Sequence, residues 1–149
     1  MTRKTAREIA IQLGFAAAAT GEQPGELMER FFEREHYDSL AREDELFAQY
    51  PDERQMDYIT SLVNLIDAHR DEIDEQIRRY SKGWKLERIS KTALAVLRCA
   101  LCEILYMDDV PNAAAINEAV ELAKGYDDPD TVAFVNGVLG GYMRGTAEK

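Results

Sequence analysis

The sequence contains few of the residues that enzymes use for chemistry. It has two histidines, His36 and His69, and they lie far apart in the chain. Two separated histidines form no catalytic triad, and they do not complete a zinc site with the two cysteines. No P-loop, GxGxxG or HExxH motif occurs, and the paired carboxylates of Asp127 and Asp128 lie on an open turn where nothing desolvates them. We therefore expect a protein that is not an enzyme and that uses neither a metal nor a cofactor.

The two cysteines, Cys99 and Cys102, form a C-x-x-C pattern inside an apolar helical stretch. A redox pair of this spacing usually opens a helix that follows a strand, and no strand is predicted nearby. Free cysteines are among the most frequently buried residue types. We therefore interpret both residues as core thiols.

Long apolar runs are also absent, since no run approaches the ~20 residues that span a bilayer. The charged residues at positions 2–8 continue into a helical pattern without the apolar centre of a cleaved signal. The 149 residues, of which 46% are hydrophobic and 31% charged, suit one globular domain with a core of its own. These features predict a cytoplasmic protein that does not bind membranes.

Apolar side chains recur at three- and four-residue spacing along most of the chain, which predicts an all-α protein. We expect about seven helices in two small bundle subdomains, at about 1–83 and 84–149, which share one core within a single domain 1–149. The predicted helices lie at about 4–19, 26–35, 52–70 and 71–83 and in three segments between 84 and 143, with a short helix at 43–50 less clearly indicated.

Several side chains have predicted roles at helix ends and contacts. Thr2 is expected to cap the first helix, and Asp71 and Asp74 resemble an N-cap with an acidic first turn near a helix break at Arg70. Trp84 is expected to pack at a hinge between the two halves, with base stacking as the less favoured alternative. Close helix packing is expected at the glycines Gly14, Gly137, Gly140 and Gly141.

The net charge of −10 argues against a nucleic-acid ligand, but the charges are distributed unevenly. Residues 78–98 contain seven basic residues and one acidic residue, and the first seven residues contain three more basic ones. A basic face on an acidic body suits RNA, although solvated helix faces explain the same pattern without a ligand. The basic residues of the longer stretch are Arg78, Arg79, Lys82, Lys85, Arg88, Lys91 and Arg98.

Four strings in the last third of the chain resemble the NusB family. They are WKLERI from Trp84, the pair Leu97-Arg98, DVPNAAAINEAVELAK up to Lys124, and FVNGVL from Phe134. The resemblance implies the NusB-like fold and a transcription antitermination factor. It further implies that the protein pairs with the ribosomal protein known as NusE and recognises the single-stranded boxA element of nascent ribosomal RNA. The pair would then help to assemble an antitermination complex on RNA polymerase.

The same resemblance implies an RNA-binding site made of cations and aromatic residues. Cations hold phosphates, and aromatic faces stack on unpaired bases. The residues that match the family's site are Arg3, Lys4, Arg7, Phe15, Tyr80, Lys82, Asp130 and Phe134. We expect the basic N-terminal residues to be disordered without RNA.

Four of these eight residues also have an explanation that involves no RNA. Periodicity alone favours core positions for Phe15 and Phe134, although Phe134 lies beside the apolar stripe of its helix. Tyr80 continues the apolar stripe of its own helix and is equally explained by packing. Asp130 is equally explained as a residue that stabilises a helix N-terminus.

Three positions depart from the family pattern. Ala93 stands where relatives often carry an acid that contacts the protein partner, Ala133 where a basic residue is common, and Gly14 where a leucine is usual. We hypothesise that RNA or partner affinity is weaker than is typical of the family.

The competing hypothesis is a helical adaptor or homodimer that binds protein and no RNA. Its docking surface would be the first helix, which is apolar on nearly every side between Ile9 and Ala19, although core burial explains the same pattern. A third hypothesis, the RNA-binding domain of a NusB-like RNA methyltransferase, lacks any catalytic region in this sequence.

Overall fold

The computed structural model describes residues 1–81, 89–126 and 129–147, and every regular element within these ranges is helical. The all-α class predicted from the sequence is confirmed, with eight α-helices among the described residues where about seven were expected. The positions of Lys82, Trp84 and Asp127 lie outside the described residues. The helices are α1 (Arg3–Thr20), α2 (Pro24–Phe31), α3 (Arg34–Leu40), α4 (Glu53–Ala68), α5 (Arg70–Tyr80), α6 (Lys91–Tyr106), α7 (Asn112–Tyr126) and α8 (Pro129–Ala147), with a 3-10 helix at Glu45–Phe47.

Both ends of α1 follow local sequence signals. Thr2 is the N-cap, and its hydroxyl oxygen accepts a hydrogen bond from the backbone N–H of Thr5 at 3.1 Å, as predicted. At the other end, Gly21 adopts a left-handed φ of 74° and donates its N–H to the carbonyl of Ala17 at 2.9 Å. Glycine adopts this conformation without steric cost, so the helix ends at the first residue that can turn the chain.

The segment after α2 differs from its prediction. A single helix at 26–35 and a short helix at 43–50 were expected. Instead, α2 ends at Phe31, α3 begins at Arg34, and a 3-10 helix lies at Glu45–Phe47. Glu33 caps α3, because its carboxylate accepts hydrogen bonds from two backbone N–H groups of the first turn. The prediction was wrong because Glu33 offers these N–H groups a partner outside a continuous helix.

An aromatic cluster holds this acidic segment together. Tyr37 is fully buried at its centre, and its hydroxyl donates to the carbonyl of Gln49 at 2.8 Å. Its ring lies 5.7 Å from that of Phe47, in the 3-10 helix, and 5.0 Å from that of Tyr50. Such edge-on aromatic pairs stabilise a fold beyond the area that they bury. These contacts join residues outside any single helix, so the spacing of apolar residues along the sequence does not predict them.

The break between α4 and α5 lies where the sequence predicted it, because α4 ends at Ala68 and α5 begins at Arg70. His69 is the N-cap, so the N-cap predicted at Asp71 or Asp74 was wrong, although Asp71 lies in the acidic first turn as expected. The predicted role of Asp74 was wrong. Asp74 is only 7% exposed and forms an ion pair with Arg98 of α6.

Close packing at the glycines is confirmed only in part. A Cβ atom placed on Gly14 or Gly137 would meet no described atom within 4 Å, so neither glycine is needed for a close approach. At Gly140 it would meet only the side chain of Arg144, one turn further along the same helix. At Gly141 it would meet the Tyr80 ring at 3.4 Å. Close packing therefore holds for Gly141 alone among the four predicted glycines.

The chain divides into two compact units, Met1–Asp67 and Ala68–Lys149. In the first unit, α1 packs against α2 and against the 3-10 helix. In the second unit, α6 packs against α5, α7 and α8, and α8 also packs against α5 and α7. The predicted single domain, with subdomains that meet near residue 83 and share a core, stays a prediction.

Cys99 and Cys102 are both buried, which confirms them as core thiols. Burial, with a smaller contribution from the nearby Glu103, raises the pKa of the Cys102 thiol from 9.0 to about 12. The Cys99 thiol lies 3.5 Å from a carboxylate oxygen of Glu103.

A bilayer-spanning helix would need to be longer or more apolar than any helix among the described residues.

Candidate functional site

Three of the predicted RNA-binding residues lie in the first two turns of α1. Arg3 and Lys4 are exposed, whereas Arg7 is only 4% exposed. Arg3 and Lys4 are therefore the accessible cations of this segment, and Arg7 is a buried one. The expected disorder of this segment is not observed, because the helix already includes Arg3.

Two of these cations contact one aromatic ring of α4. The guanidinium carbon of Arg3 lies 4.1 Å from the centre of the Tyr58 ring, and that of Arg7 lies 5.9 Å from it. Tyr58 itself is only 5% exposed. Both distances are within the range at which a cation is attracted to an aromatic face. Arg3 and Arg7 lie four residues apart, on the same face of α1, which allows both to reach the same ring.

The residue that precedes α1 is also held by α4. Asp52 and Gln55 cap α4 reciprocally: Gln55 N–H donates to the Asp52 carboxylate at 2.8 Å, and Asp52 N–H donates to the Gln55 side-chain oxygen at 2.9 Å. The Gln55 side-chain amide also donates to the carbonyl of Met1. The N-terminal turn of α4 therefore fixes the chain at the start of α1.

Phe15 is the large hydrophobic residue that stands out on the described surface, with 41% of its area exposed. It follows Lys4 by eleven residues, which places both on the same side of α1, roughly 17 Å apart along the helix axis. The core position that periodicity favoured for Phe15 was therefore wrong. The exposed side of α1 combines an aromatic ring with cations, and we call the exposed residues Arg3, Lys4 and Phe15 the α1 surface.

Acidic groups limit the positive potential of the α1 surface. Glu8 lies one turn after Lys4, and burial raises the pKa of its carboxyl group, with Lys4 opposing and Asp44 reinforcing the shift. Residues 22–57 contain twelve acidic and four basic residues. The positive charge on this unit is therefore concentrated at the N-terminal end of α1.

On the second unit, Asp130 and Phe134 lie in the first two turns of α8. Asp130 is exposed and Phe134 is half-buried. Their spacing of four residues places them side by side on one face of the helix. The structure therefore brings this carboxylate and this aromatic ring together, and we call the pair the α8 surface.

Tyr80, at the end of α5, packs against the opposite end of α8. Its ring lies 5.7 Å from that of Tyr142, almost perpendicular to it, and it covers Gly141 and Gly145. Gly145 follows Asp130 by fifteen residues, or roughly 22 Å along the helix axis. Tyr80 is therefore a packing residue in this structure and does not adjoin Asp130. Its predicted neighbour, Lys82, lies outside the described residues.

The basic stretch at 78–98 is not a single open face. The Arg98 guanidinium binds the Asp74 carboxylate through two hydrogen bonds of 2.8 Å each, and its side chain is only 16% exposed. Arg78 forms an exposed ion pair of 3.4 Å with Glu75 on its own helix. Including Arg98 in a basic face was wrong, because a buried carboxylate already engages it.

The three departures from the family pattern have different surroundings. Ala93 is completely buried in the first turn of α6, so its side chain is not accessible to a binding partner. Ala133 is exposed beside Phe134 on α8. A Cβ on Gly14 would point into open space among the described atoms. Ala133 and Gly14 therefore each adjoin a predicted ligand-binding residue in the chain, Phe134 and Phe15 respectively, whereas Ala93 is buried.

One of these features, the contact of Tyr58 with the two arginines of α1, was absent from the sequence-based predictions. Tyr58 was missed because an aromatic residue inside an apolar helix is typical of a core, and no local pattern links it to Arg3. The spacing of Arg3 and Arg7 was the only available signal.

No group of three or more His, Cys, Asp or Glu side chains that suits a metal ion occurs within the described ranges.

Comparisons with known proteins agree with the fold. The T. maritima NusB structure matches with a TM-score of 0.78 and 25% identity, covering 97% of this chain and 92% of that one. A crystal structure of the antitermination factors NusB and NusE in complex with dsRNA matches with a TM-score of 0.77 and 24% identity over 96% of each chain, which shows the shared fold.

Sequence comparison identifies the family. The transcription antitermination protein NusB of Clostridium botulinum (strain Kyoto / Type A2) is 35% identical over 140 residues, which are 94% of this chain and 98% of that protein. The NusB family model matches residues 4–144. The chain belongs to the NusB family of transcription antitermination proteins.

Proposed function

We propose that this protein binds single-stranded RNA of the boxA type through the α1 surface and the α8 surface, together with a NusE-type ribosomal protein. The observation that carries the proposal is the exposed Phe15 ring on the same side of α1 as the exposed Lys4. Proteins that bind single strands combine cations for the phosphates with aromatic faces for the bases.

The α8 surface supplies the second set of contacts in this proposal. Phe134 is half-buried, so part of its ring is exposed to solvent, and exposed aromatic faces stack on unpaired bases. The Asp130 carboxylate accepts hydrogen bonds, and the exocyclic amines of unpaired bases donate them. Lys82 would add a phosphate contact, and Tyr80 would support α8 by packing against its glycines.

Family membership supports the biological setting. The family is one of antitermination factors, not of enzymes. The solved NusB of similar fold is in complex with NusE and RNA. We therefore propose that this protein joins an antitermination complex on RNA polymerase during ribosomal RNA transcription in the cytoplasm.

The experiment is a fluorescence-anisotropy titration of a labelled boxA oligonucleotide with the protein, with the NusE-type ribosomal protein of the same organism, and with both. The proposal predicts that the ternary complex is tighter than either binary complex. A scrambled oligonucleotide of the same composition is the control, and it should bind more weakly. Equal affinity for both oligonucleotides, or no binding by the mixture, would contradict the proposal.

A second candidate function uses the same exposed ring. Phe15 is followed on α1 by the exposed residues Ala18 and Ala19, and such an apolar surface also suits a protein-only adaptor or a homodimer. Salt dependence distinguishes the two functions. RNA binding weakens with ionic strength with a log–log slope of about −0.7 for each phosphate contact on a single strand. Apolar docking shows no such slope, and analytical ultracentrifugation would reveal a homodimer.

A further inference from the structure

We propose that Tyr58 is a positioning residue of the RNA-binding surface, which holds the guanidinium of Arg3 in place before RNA arrives. This inference rests on the proposed function. It assigns a role in recognition to a residue of α4 that is itself almost completely buried. Tyr58 would not contact the RNA, since its ring already lies beneath the two arginines of α1.

The contact geometry supports a positioning role. The Arg3 guanidinium carbon lies 4.1 Å from the centre of the Tyr58 ring, close enough for direct contact with the ring face. Arg7 approaches the same ring at 5.9 Å and is buried. Arg7 is thereby committed to the protein interior, whereas Arg3 remains exposed. The ring thus holds one arginine that faces solvent.

The guanidinium of Arg3 keeps its hydrogen-bonding capacity. No carboxylate or other acceptor among the described residues forms a hydrogen bond or an ion pair with it, and its carbon lies over the Tyr58 ring, 4.1 Å from the ring centre. Guanidinium N–H groups point outwards in the plane of the group, in a fork that matches phosphate oxygens. The contact with Tyr58 therefore restrains the Arg3 side chain and leaves its donors available.

The backbone next to Arg3 is fixed as well. The Gln55 side chain, in the same helix as Tyr58 and one turn before it, holds the carbonyl of Met1. The Thr2 cap orders the first turn of α1. A free arginine at a chain terminus must lose much of its side-chain freedom when it binds a phosphate. Here part of that loss has already occurred on folding, which favours binding.

The test is a double-mutant cycle on RNA affinity that uses Arg3→Gln and Tyr58→Leu in the full chain with the NusE-type protein. Removal of the ring should weaken binding about two- to fivefold, the effect of one exposed cation–π contact. In the Arg3→Gln background, Tyr58→Leu should have no further effect. Tyr58→Phe keeps the ring face and should bind like the wild type.

Arg3→Lys provides a second test that does not depend on the folding of a core variant, because residue 3 is exposed. Lysine keeps the charge but lacks the planar group that stacks on the ring. Arg3→Lys should therefore bind RNA more weakly with an unchanged salt dependence, whereas Arg3→Gln should also reduce the slope by about 0.7. Arg34→Lys is the matched control, because Arg34 is an exposed arginine that contacts the Tyr50 ring at 4.4 Å outside the α1 and α8 surfaces, and it should leave both quantities nearly unchanged.

The outcomes separate the two proposals. If the wild type binds boxA RNA but Tyr58→Leu weakens binding equally with and without Arg3, Tyr58 acts only through the fold and the inference is overturned. Equal affinity of Arg3→Lys and the wild type would overturn it as well. If the wild type does not bind boxA RNA even at low salt, the proposed function falls and the inference falls with it.

Discussion

Arg98 of α6 and Asp74 of α5 form a two-point ion pair in which Nε–Oδ1 and Nη2–Oδ2 are both 2.8 Å. Neither side chain has much contact with water, since they are 16% and 9% exposed. A planar guanidinium that meets a carboxylate through two parallel hydrogen bonds has a defined geometry as well as a favourable energy. The pair therefore fixes how α5 and α6 meet within the second unit.

Removal of one partner of this pair should destabilise the fold strongly. Asp74→Ala leaves the Arg98 charge buried without compensation, and we expect the free energy of unfolding to fall by about 3 kcal/mol. Urea denaturation monitored by circular dichroism measures this change. Glu75→Ala is the control, because it removes only an exposed ion pair with Arg78 and should cost less than about 0.5 kcal/mol. Similar losses in the two variants would show that the buried pair is unimportant.

Two glycines of α8 should respond in opposite ways to alanine. Gly137 is exposed, and an added Cβ meets no described atom within 4 Å, so Gly137→Ala should stabilise the protein by about 0.5–1 kcal/mol through helix propensity. A Cβ on Gly145 would lie 2.8 Å from a ring carbon of Tyr80, which Tyr142 holds from the side. Gly145→Ala should therefore cost about 1–3 kcal/mol. Thermal unfolding of both variants checks the opposite signs.

The stability should decrease at alkaline pH because of the buried Cys102 thiol. Its pKa is raised from 9.0 to about 12, so the folded chain keeps a proton that the unfolded chain loses. Deprotonation of the unfolded state therefore favours unfolding as the pH rises from about 9 to about 12. Burial likewise raises the pKa of the Tyr37 hydroxyl, from 10.0 to about 12.

Urea denaturation across this pH range, with wild type and Cys102→Ala, measures the contribution of the thiol. The variant should be less stable at neutral pH because of the lost packing, but its stability should depend less steeply on pH above 9. Identical pH dependence in the two proteins would show that the thiol titrates normally in the folded state. Tyr37 is unchanged in both proteins, so its contribution cancels in the comparison.

The departures from the family pattern at positions 133 and 93 should behave differently. Ala133→Lys adds a cation beside Phe134 on the exposed side of α8, and we expect tighter RNA binding with a salt slope steeper by about 0.7. Ala93→Glu places a carboxylate at a completely buried position and should destabilise the protein by several kcal/mol. Unchanged RNA affinity in Ala133→Lys would dismiss the hypothesis that Ala133 weakens binding.

The parts of the fold that local signals determine were predictable from the sequence. Thr2 and Gly21 set the ends of α1 through hydrogen bonds within a few residues. The break at Arg70 was indicated by the acidic residues that follow it, of which Asp71 lies in the first turn of α5. In contrast, α3 depends on aromatic contacts such as that between Tyr37 and Phe47. No periodicity reveals contacts of this kind, because turns separate the residues.

The site was less predictable than the fold, because exposure depends on tertiary packing. Periodicity alone favoured a core position for Phe15, which is exposed. The charge pattern and the family resemblance placed Arg7 among the RNA-binding cations, although it is buried. Asp74 looked like a helix cap, and only the fold shows that Arg98 engages it. In each case the deciding neighbour lies on another helix or in solvent.

The most direct test of the central claim is the RNA affinity of Phe15→Ala relative to the wild type and Phe15→Tyr. Loss of one stacked base costs about 1–3 kcal/mol, so Phe15→Ala should bind boxA RNA about tenfold more weakly, while Phe15→Tyr keeps the ring and the affinity. Unfolding should change by less than about 1 kcal/mol, since Phe15 is 41% exposed. RNA affinity of Phe15→Ala equal to that of the wild type, with the fold intact, would contradict the account.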